Sequence, residues 1–288
     1  MDSIVVAVRR GGVTEAVHRV HAVAVREGAV VAEAGEGGLV TLMRSSAKPL
    51  QALPLARARD DLDERDLAIA SASHLADEAQ LAAVRALLAR APAREVELEC
   101  GGGIAHNCSG KHAGMLALCR ARGWESEGYR LPGHPVQQAG LDEVAAAAEV
   151  PAADIPTAID GCGVVTFGLP LERMAFAFSR LEQLDAGARV AAAMRAYPEL
   201  IRGPRAADTM LMRLRPGWTA KGGAEGLLCA AGPDGLGIAL KVVDGATRAM
   251  GPALARFGAE LGHTLPELAV APLENSRGEV VGELVTES

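Results

Sequence analysis

Lysine is scarce in this chain, because only four of its 29 basic residues are lysine and the other 25 are arginine. The four are Lys48, Lys111, Lys221 and Lys241. Arginine keeps its proton in proteins, whereas a buried lysine can become neutral and accept a proton from another group. Each lysine is therefore a candidate for proton transfer or for ligation. The alternative is that a few lysines remain without a special role.

Aromatic residues and clusters of basic residues are also few. Aromatics make up 3% of the chain, the formal net charge is -7, and no stretch is rich in Lys and Arg. Nucleic-acid binding depends on clustered positive charge and, for single strands, on aromatic side chains that stack on bases. We therefore expect no nucleic-acid partner and expect a small-molecule substrate.

Long apolar runs are missing as well. No run approaches the ~18 residues that a membrane-spanning helix needs. Residues 1–12 also lack the charged segment followed by a long apolar segment that marks a secretion signal. We expect no membrane association and a cytoplasmic location. No linker or fixed repeat divides the 288 residues, so we predict a single catalytic domain over residues 1–288, built of two closely packed lobes.

The segment 39–54 contains the strongest local pattern. An apolar run ends at Met43 and is followed by Arg44-Ser45-Ser46-Ala47-Lys48-Pro49. We predict a strand and then a helix, with the paired serines as N-cap residues and Pro49 in the first turn. Pro54 should kink or end that helix.

Ser45 is the candidate nucleophile of this segment. Residues three apart lie on one face of a helix and residues two apart do not, so Ser45 can meet the Lys48 amine and Ser46 cannot. A neutral lysine can take the proton of a serine hydroxyl and make it nucleophilic. The alternative is an N-cap beside a solvated lysine, because Ser-x-x-Lys is expected about once by chance in a chain of this length.

The pattern of strands and helices predicts an α/β (α+β) fold. Alternation over 3–8 and 15–25, with a turn into 30–34, predicts an N-terminal antiparallel meander, and the strand before Ser45 is expected to join it. Strands are also predicted at 226–231, 236–243 and 279–285, and helices at 78–91, 113–122, 135–150, 182–196, 206–213 and 246–261. Strands near both termini with helices between them predict an antiparallel sheet assembled from both ends and covered by helices.

The five cysteines are scattered, and their odd number favours metal binding, catalysis or core packing over disulfides. Cys108 and Cys162 lie in glycine-containing turns, and thiolates are good zinc ligands, so the fold could bring the two together beside Lys111. The alternative is that both are small buried apolar residues, because the chain has no Cys-x-x-Cys.

Polar residues next to these cysteines are further candidates. Asp160 precedes a glycine-flanked turn and suits a carboxylate that binds the ammonium group of a ligand, or else it stabilises its own turn. His106 and His112 flank the turn that contains Cys108. They can act as ligands, as substrate contacts or as structural hydrogen-bonding residues.

Several motifs together resemble one enzyme family. The strings RSSAKPLQALPL, SASH, HNCSGKHAGMLAL, DGCGVVTFGLPL and AKGGAEG occur in this order. They resemble the asparaginase II family, the thermolabile-type L-asparaginases of rhizobia and their bacterial relatives. Members of this family are similar in fold to serine β-lactamases, penicillin-binding proteins and glutaminases. The resemblance therefore implies a two-lobed, serine β-lactamase-like architecture with a five-stranded type of antiparallel sheet.

The resemblance also implies a reaction and a set of site residues. The reaction is hydrolysis of L-asparagine to L-aspartate and ammonia through a serine acyl-enzyme, carried out by a homodimer. The implied residues are the nucleophile Ser45 and its partner Lys48, a second pair formed by Ser73 and Lys221, the substrate-binding Arg44 and Asp160, and the zinc ligands Cys108, Lys111 and Cys162. Zinc would have a positional role, because Ser45 already supplies the nucleophile.

Two other functions remain open on the sequence alone. One is a different Ser-Lys amidohydrolase of the same fold, such as a glutaminase or a β-lactamase-like enzyme. Cell-wall substrates lie outside the cytoplasm, so the expected location disfavours a β-lactamase. The other is a non-catalytic zinc-binding module whose lysines are structural, which would contain metal and have no amidase activity.

Overall fold

The computed structural model describes residues 1–287. Eight strands form one antiparallel sheet in the spatial order β10-β11-β1-β2-β9-β8-β7, with β3 also paired to β2, and three strands form a small second sheet in the order β4-β6-β5. The strands are β1 (Ile4–Arg10), β2 (Val13–Arg26), β3 (Ala29–Ala34), β4 (Val40–Leu42), β5 (Thr157–Ile159), β6 (Val165–Pro170), β7 (Thr219–Gly222), β8 (Leu227–Ala231), β9 (Gly237–Val242), β10 (Val270–Glu274) and β11 (Val280–Thr286).

Helices connect and cover the two sheets. They are α1 (Lys48–Gln51), α2 (Leu53–Ala58), α3 (Glu64–Ala70), α4 (Glu78–Arg90), α5 (Ser109–Arg122), α6 (Pro135–Ala148), α7 (Leu171–Ser179), α8 (Gly187–Ala196), α9 (Pro198–Ile201), α10 (Ala207–Leu214), α11 (Met250–Glu260) and α12 (Pro266–Ala269). No helix within residues 1–287 is long and apolar enough to cross a membrane.

The large sheet is assembled from both ends of the chain, as predicted. β1 pairs with β2 and also with β11, so Val6 lies opposite both His18 and Thr286. The sheet is larger than the five-stranded type that the family resemblance implies. α7 packs on β2, β8 and β9, while α11 packs on β1, β9 and β11. Gly237 permits the close approach of α7, because a Cβ atom there would lie 1.9 Å from the Ala175 carbonyl oxygen.

The strand before Ser45 does not join the N-terminal meander, so this prediction is wrong. β4 pairs instead with β6, and the Met43 N–H continues the contact by donating to the Phe167 carbonyl at 2.7 Å. The partner strand is far away in the sequence, and its choice depends on tertiary packing, which local alternation does not reveal. β5 flanks β6 on its other side, so the small sheet brings the Ser45 segment close to the turn that follows β5.

The paired serines are not N-cap residues, so this prediction is also wrong. Residues 44–47 form a 3₁₀ turn, and α1 begins at Lys48 without a side-chain cap. Pro49 lies in the first turn of α1, as predicted. The helix ends at Gln51, before Pro54, which lies in the first turn of α2.

Other helix ends follow their local signals. Asp77 caps α4 and forms a reciprocal capping box with Gln80. α5 ends at Gly123, which has the left-handed φ of 67° that favours glycine at this position. α6 begins at Pro135, as predicted. Where the apolar pattern alone set the start, the prediction missed it in both directions, since α11 begins at Met250 and not at Ala246, and α5 begins at Ser109 and not at Ala113.

Candidate active site

Ser45 lies just after a strained reversal of the chain. Arg44 has a left-handed φ of 48°, which costs a non-glycine residue about 1–2 kcal/mol. Its backbone N–H donates to the Thr166 hydroxyl oxygen in β6 at 3.0 Å, and this contact holds the turn against the small sheet. Strain that surrounding contacts maintain is common at functional sites. The reversal carries the chain from β4 into the buried serines and Lys48.

The two neighbouring serines have different environments. The Ser46 hydroxyl donates to the backbone carbonyl of Lys221 at 2.9 Å and is fully buried. Ser45 is 9% exposed, and its hydroxyl has no hydrogen-bond partner within residues 1–287. The geometry therefore leaves Ser45 available for chemistry and gives Ser46 a structural role.

Lys48 is fully buried, and its amine does not contact Ser45 by a hydrogen bond. Its Nζ donates to the Ser73 hydroxyl oxygen at 3.0 Å, to Cys108 Sγ at 3.3 Å and to the Ala72 carbonyl. An ammonium group has three N–H donors, and all three are used in this way. The expected Ser45–Lys48 hydrogen bond is therefore absent, although both residues belong to one short turn. Burial lowers the pKa of Lys48, although the charge of Cys108 opposes this effect.

Ser73 bridges two buried lysines. Lys48 Nζ lies 3.0 Å and Lys221 Nζ 2.9 Å from its hydroxyl oxygen. The segment that contains Ser73 follows α3 and is fixed by its backbone N–H, which donates to the Ile201 carbonyl at 2.7 Å. The next residue, His74, donates from Nε2 to the Ser109 hydroxyl at 2.8 Å. A hydroxyl between two amines can pass a proton from one to the other.

Lys221 comes from β7, and the structure brings it to Ser73 as predicted. Burial lowers the pKa of Lys221 to about 7, with the Asp208 carboxylate opposing the shift. A lysine with this pKa is present in both protonation states near neutral pH, which suits a general acid and base. Asp208, which the sequence reasoning missed, lies 3.8 Å from the Lys221 amine and accepts from the Gly222 N–H at 2.7 Å. Its only local signal is a carboxylate in the first turn of a helix.

Cys108, Lys111 and Cys162 also lie together. Lys111 Nζ is 3.3 Å from Cys162 Sγ, while Lys48 Nζ is 3.3 Å from Cys108 Sγ. A hydrogen bond from Cys162 lowers the pKa of Cys108 against the effect of burial, and the two lysines lower it further. The same hydrogen bond and burial raise the pKa of Cys162. The two sulfur atoms therefore lie close enough to share a hydrogen bond, each next to a lysine amine.

The donors of this cluster are two sulfur atoms and one amine. Burial alone would lower the pKa of Lys111, but the charges of Cys162 and Cys108 outweigh it and raise the pKa. Within residues 1–287, no group of three or more His, Cys, Asp and Glu side chains is placed to hold a metal ion. His112 contacts the Tyr129 hydroxyl at 2.7 Å through Nδ1, and His106 Nδ1 accepts from the Cys108 N–H at 3.0 Å. Both histidines thus have structural contacts.

Arg44 and Asp160 form an ion pair at the edge of the cluster. Arg44 Nε donates to Asp160 Oδ1 at 2.7 Å, and the Gly161 N–H donates to the same oxygen at 2.7 Å. Burial alone would raise the pKa of Asp160, but the charges of Lys111 and Arg44 outweigh it and lower the pKa. Glu225, which the sequence reasoning missed, lies 4.0 Å from Arg44 through Oε1 and is 71% exposed. Opposite charges thus lie side by side next to Ser45.

Buried lysines joined through a serine, close in the chain to an unpartnered serine hydroxyl, are groups that can support acyl transfer with proton relay, as serine hydrolases use it. The chain belongs to the L-asparaginase II family, since the model of that family matches residues 6–105 and 102–286. Membership supports amidohydrolase activity of the asparaginase type. The match is to the family as a whole and does not assign the chain to a subtype. No curated protein sequence matches the chain significantly.

Proposed function

We propose that this protein is an L-asparaginase that hydrolyses the side-chain amide of L-asparagine through a Ser45 acyl-enzyme. The observation that carries the proposal is the hydrogen-bonded row Lys48–Ser73–Lys221, whose Lys48 directly follows the turn that contains the unpartnered Ser45 hydroxyl, in a chain of the L-asparaginase II family. Such a row provides a proton acceptor and a route for the proton, which are the two things a serine nucleophile needs.

The Arg44–Asp160 pair favours an amino acid as the substrate. A free amino acid carries an α-carboxylate and an α-ammonium on one carbon atom. Arg44 can bind the carboxylate through its terminal nitrogens, because it contacts Asp160 through Nε, and Asp160 can bind the ammonium through Oδ2, because Oδ1 accepts from Arg44 and Gly161. Glu225, 4.0 Å from Arg44, adds negative charge on the same side. The substrate's side-chain amide would then extend towards Ser45.

In the first half of the reaction, the Ser45 oxygen attacks the amide carbon and its proton passes to neutral Lys48. Catalytic hydrogen bonds are often formed only when substrate is bound, so the missing Ser45–Lys48 contact is compatible with this step. The proton then moves through Ser73 and Lys221 to the departing nitrogen. The C–N bond breaks, ammonia leaves, and the aspartyl group remains attached to Ser45 as an ester.

In the second half, water attacks the ester carbon. The same lysines accept the proton of the water, the bond to the Ser45 oxygen breaks, and that oxygen recovers its proton. L-aspartate is released and the lysines return to their initial protonation states. No other reactant is needed, because the net reaction consumes one water and yields ammonia and L-aspartate.

We also propose that Cys108, Lys111 and Cys162 hold Zn²⁺. Two thiols and an amine already lie together, and zinc would bind the sulfur atoms as thiolates and the Lys111 amine after it loses its proton. Bound zinc would supply positive charge and fix the positions of its ligands, while Ser45 remains the nucleophile. Asp160, whose charge acts on Lys111, can orient both that amine and the ammonium group of the substrate.

Three further features belong to the same proposal. The sheet built from both termini, with helices around it, supports a likeness to the serine β-lactamase fold. We propose a homodimer, which sedimentation at micromolar concentration tests. We also propose a cytoplasmic location.

Ammonia release from L-asparagine, L-glutamine and a simple amide, measured on zinc-loaded and chelated protein, tests the function. We expect release from L-asparagine and its loss in Ser45→Ala. Turnover of a chromogenic cephalosporin with no release from asparagine or glutamine would instead identify a β-lactamase-like enzyme. Bound zinc with no turnover of any amide would identify a binding module.

A further inference from the structure

A cavity of about 540 Å³ lies between the chain that leads into α10, the start of α11 and strand β10. Its volume falls within the range of small-molecule binding sites. The catalytic candidates Ser45, Lys48, Ser73 and Lys221 do not line it. It is therefore a separate feature that the proposed reaction does not use.

The walls of the cavity are mainly apolar. They are formed by Met210, Met250, Leu268, Leu273 and Leu284, together with smaller residues. Such walls remove the hydrocarbon part of a ligand from water, which is the main source of affinity in small-molecule sites.

Three arginines and two glutamates also line the cavity, and the glutamates are already neutralised. Glu274 accepts from Arg205 at 2.5 Å. Glu267 accepts at 2.8 Å from Arg215, which lies outside the lining. Neither carboxylate is therefore free to repel an anion, and Arg205 is occupied.

The other two arginines, Arg202 and Arg248, form no ion pair within 4.0 Å in the part of the chain that the structure describes. Arg202 nevertheless lies near Asp208, since a Cβ atom on Gly222 would lie 2.8 Å from Arg202 Nη1 and 3.1 Å from Asp208 Oδ2, so that carboxylate offsets part of its charge. Arg248 donates from Nε to His18 Nε2 at 3.1 Å, and His18 Nδ1 lies 2.6 Å from Asp244. This contact fixes the stem of the guanidinium and leaves its terminal nitrogens without a partner among residues 1–287. The cavity thus presents the positive charge of Arg248, whose terminal nitrogens are unpartnered among these residues, and the partly offset charge of Arg202 next to apolar walls.

From this combination we infer that the cavity is a second binding site, separate from the Ser45 site, for a small organic anion with an apolar body. A guanidinium group binds a carboxylate or a phosphate through parallel N–H donors. The apolar body would lie against the methionine and leucine side chains. Charge complementarity therefore selects an anion over an uncharged ligand of the same shape.

Binding of two simple probes to the full-length protein tests the inference. Phenylacetate carries a carboxylate and phenyl phosphate carries a phosphate, each attached to a phenyl ring. Benzyl alcohol, which has the same ring, serves as an uncharged control. Isothermal titration should show saturable binding of at least one anion and none of benzyl alcohol at the same concentration. The tighter of the two anions identifies the headgroup class.

Arg248→Gln is the main test variant, because Arg248 is exposed and the fold should tolerate its loss. We expect the affinity for the anion to fall about tenfold or more, since one charge-assisted contact is removed. Arg213→Gln is the matched control, because Arg213 is an exposed arginine of α10 that does not line the cavity. Ser45→Ala should leave the affinity unchanged, which separates this site from the catalytic one and makes the test independent of the proposed reaction.

Any of three results would overturn the inference, two of them from the titrations and one from sedimentation. The first is the absence of saturable binding of both anions up to about 10 mM, and the second is binding that Arg248→Gln leaves as tight as before. The third is a dimer in sedimentation velocity that Leu273→Asp converts to a monomer, because the cavity would then be an interface with a second copy of the chain.

Discussion

The environments of individual atoms decide which of two adjacent serines can react. The Ser46 hydroxyl donates a hydrogen bond to the Lys221 carbonyl, while the Ser45 hydroxyl remains without a partner among the described residues. Ser45→Ala should lower the rate of ammonia release about 10³-fold or more, because no other group can form the acyl-enzyme. Ser46→Ala should cost about 1 kcal/mol of stability through the lost hydrogen bond and keep most of the activity. Steady-state kinetics and urea unfolding of both variants check this.

The opposite pattern is the informative alternative. If Ser46→Ala abolished ammonia release and Ser45→Ala left it undiminished, the assignment of the nucleophile would be wrong. A trapped acyl-enzyme, located by mass spectrometry of the peptide that contains both serines, distinguishes the two without relying on rates.

Lys221 sets the expected pH dependence. Its pKa is lowered to about 7 by burial, and the proposed relay needs the neutral amine, which is lost as the pH falls through that value. We expect kcat/KM to be half-maximal near pH 7 and to fall about tenfold per unit at lower pH. A profile of kcat/KM for L-asparagine over the range in which the protein stays folded measures this directly.

Asp208 provides a test that the fall of kcat/KM at low pH, the acid limb of the profile, reports the titration of Lys221. Its negative charge raises the pKa of this lysine against the effect of burial, so Asp208→Asn should lower the pKa and move the acid limb to lower pH. Asp234→Asn, at an exposed turn, is the control and should leave the limb in place. If the acid limb of Asp208→Asn moved to higher pH, the limb would report the titration of a group other than Lys221.

At the scale of elements, the site depends on how closely α5 approaches α3. A Cβ atom on Gly110 would lie 2.2 Å from the Ile69 carbonyl oxygen, a contact with backbone that cannot move aside easily. At Gly114, one turn later, the nearest atom is the Ala70 Cβ at 3.0 Å. Gly110→Ala should therefore destabilise the fold by about 1–3 kcal/mol, and Gly114→Ala by less.

Urea unfolding of the two variants measures this difference. Because Lys111 follows Gly110 directly, the same shift of α5 should also displace the amine from Cys162, and zinc content should fall in Gly110→Ala. Equal stabilities of the two variants would contradict the expectation that the closer approach of Gly110 to the Ile69 carbonyl limits the position of α5.

The elements that the sequence predicts well are those with local signals. Asp77 caps α4, Pro135 starts α6 and Gly123 ends α5, each through contacts within a few residues. The partner of β4 is β6, more than 100 residues later, and β6 itself was not predicted. Strand pairing depends on packing between distant segments, and alternation along one segment does not specify it.

The candidate site shows the same division at the level of side chains. The family motifs indicate which residues belong to it, and the structure places Ser73 and Lys221 in contact. Asp208 has no motif, and its effect on Lys221 depends on a contact between α10 and β7. Likewise, the three partners of the Lys48 amine are Ala72, Ser73 and Cys108, which lie far from Lys48 in the sequence. The spacing of residues 45–48 on one helix face could not reveal them.

At the scale of the whole molecule, the site is assembled from segments that are far apart in the chain. Ser73 and Lys221 are separated by 148 residues, and Lys111 and Cys162 by 51. The two sheets and the helices between them must all be in place before these contacts form. A ligand that binds several of these segments at once should therefore stabilise the entire fold.

Zinc is that ligand in our proposal, and Cys162 is the residue that tests it. Cys162→Ala should lose zinc and raise KM for L-asparagine more than it lowers kcat, because Ser45, Lys48 and Lys221 remain while the support beside Asp160 is lost. A chelator should lower the melting temperature of the parent protein and leave that of Cys162→Ala unchanged. Cys119→Ala removes another buried thiol, one in the middle of α5, and should keep both the zinc and the response to the chelator. If Cys162→Ala kept full zinc and an unchanged KM, Cys162 would be an ordinary core thiol. Its contact with Lys111 would then be structural.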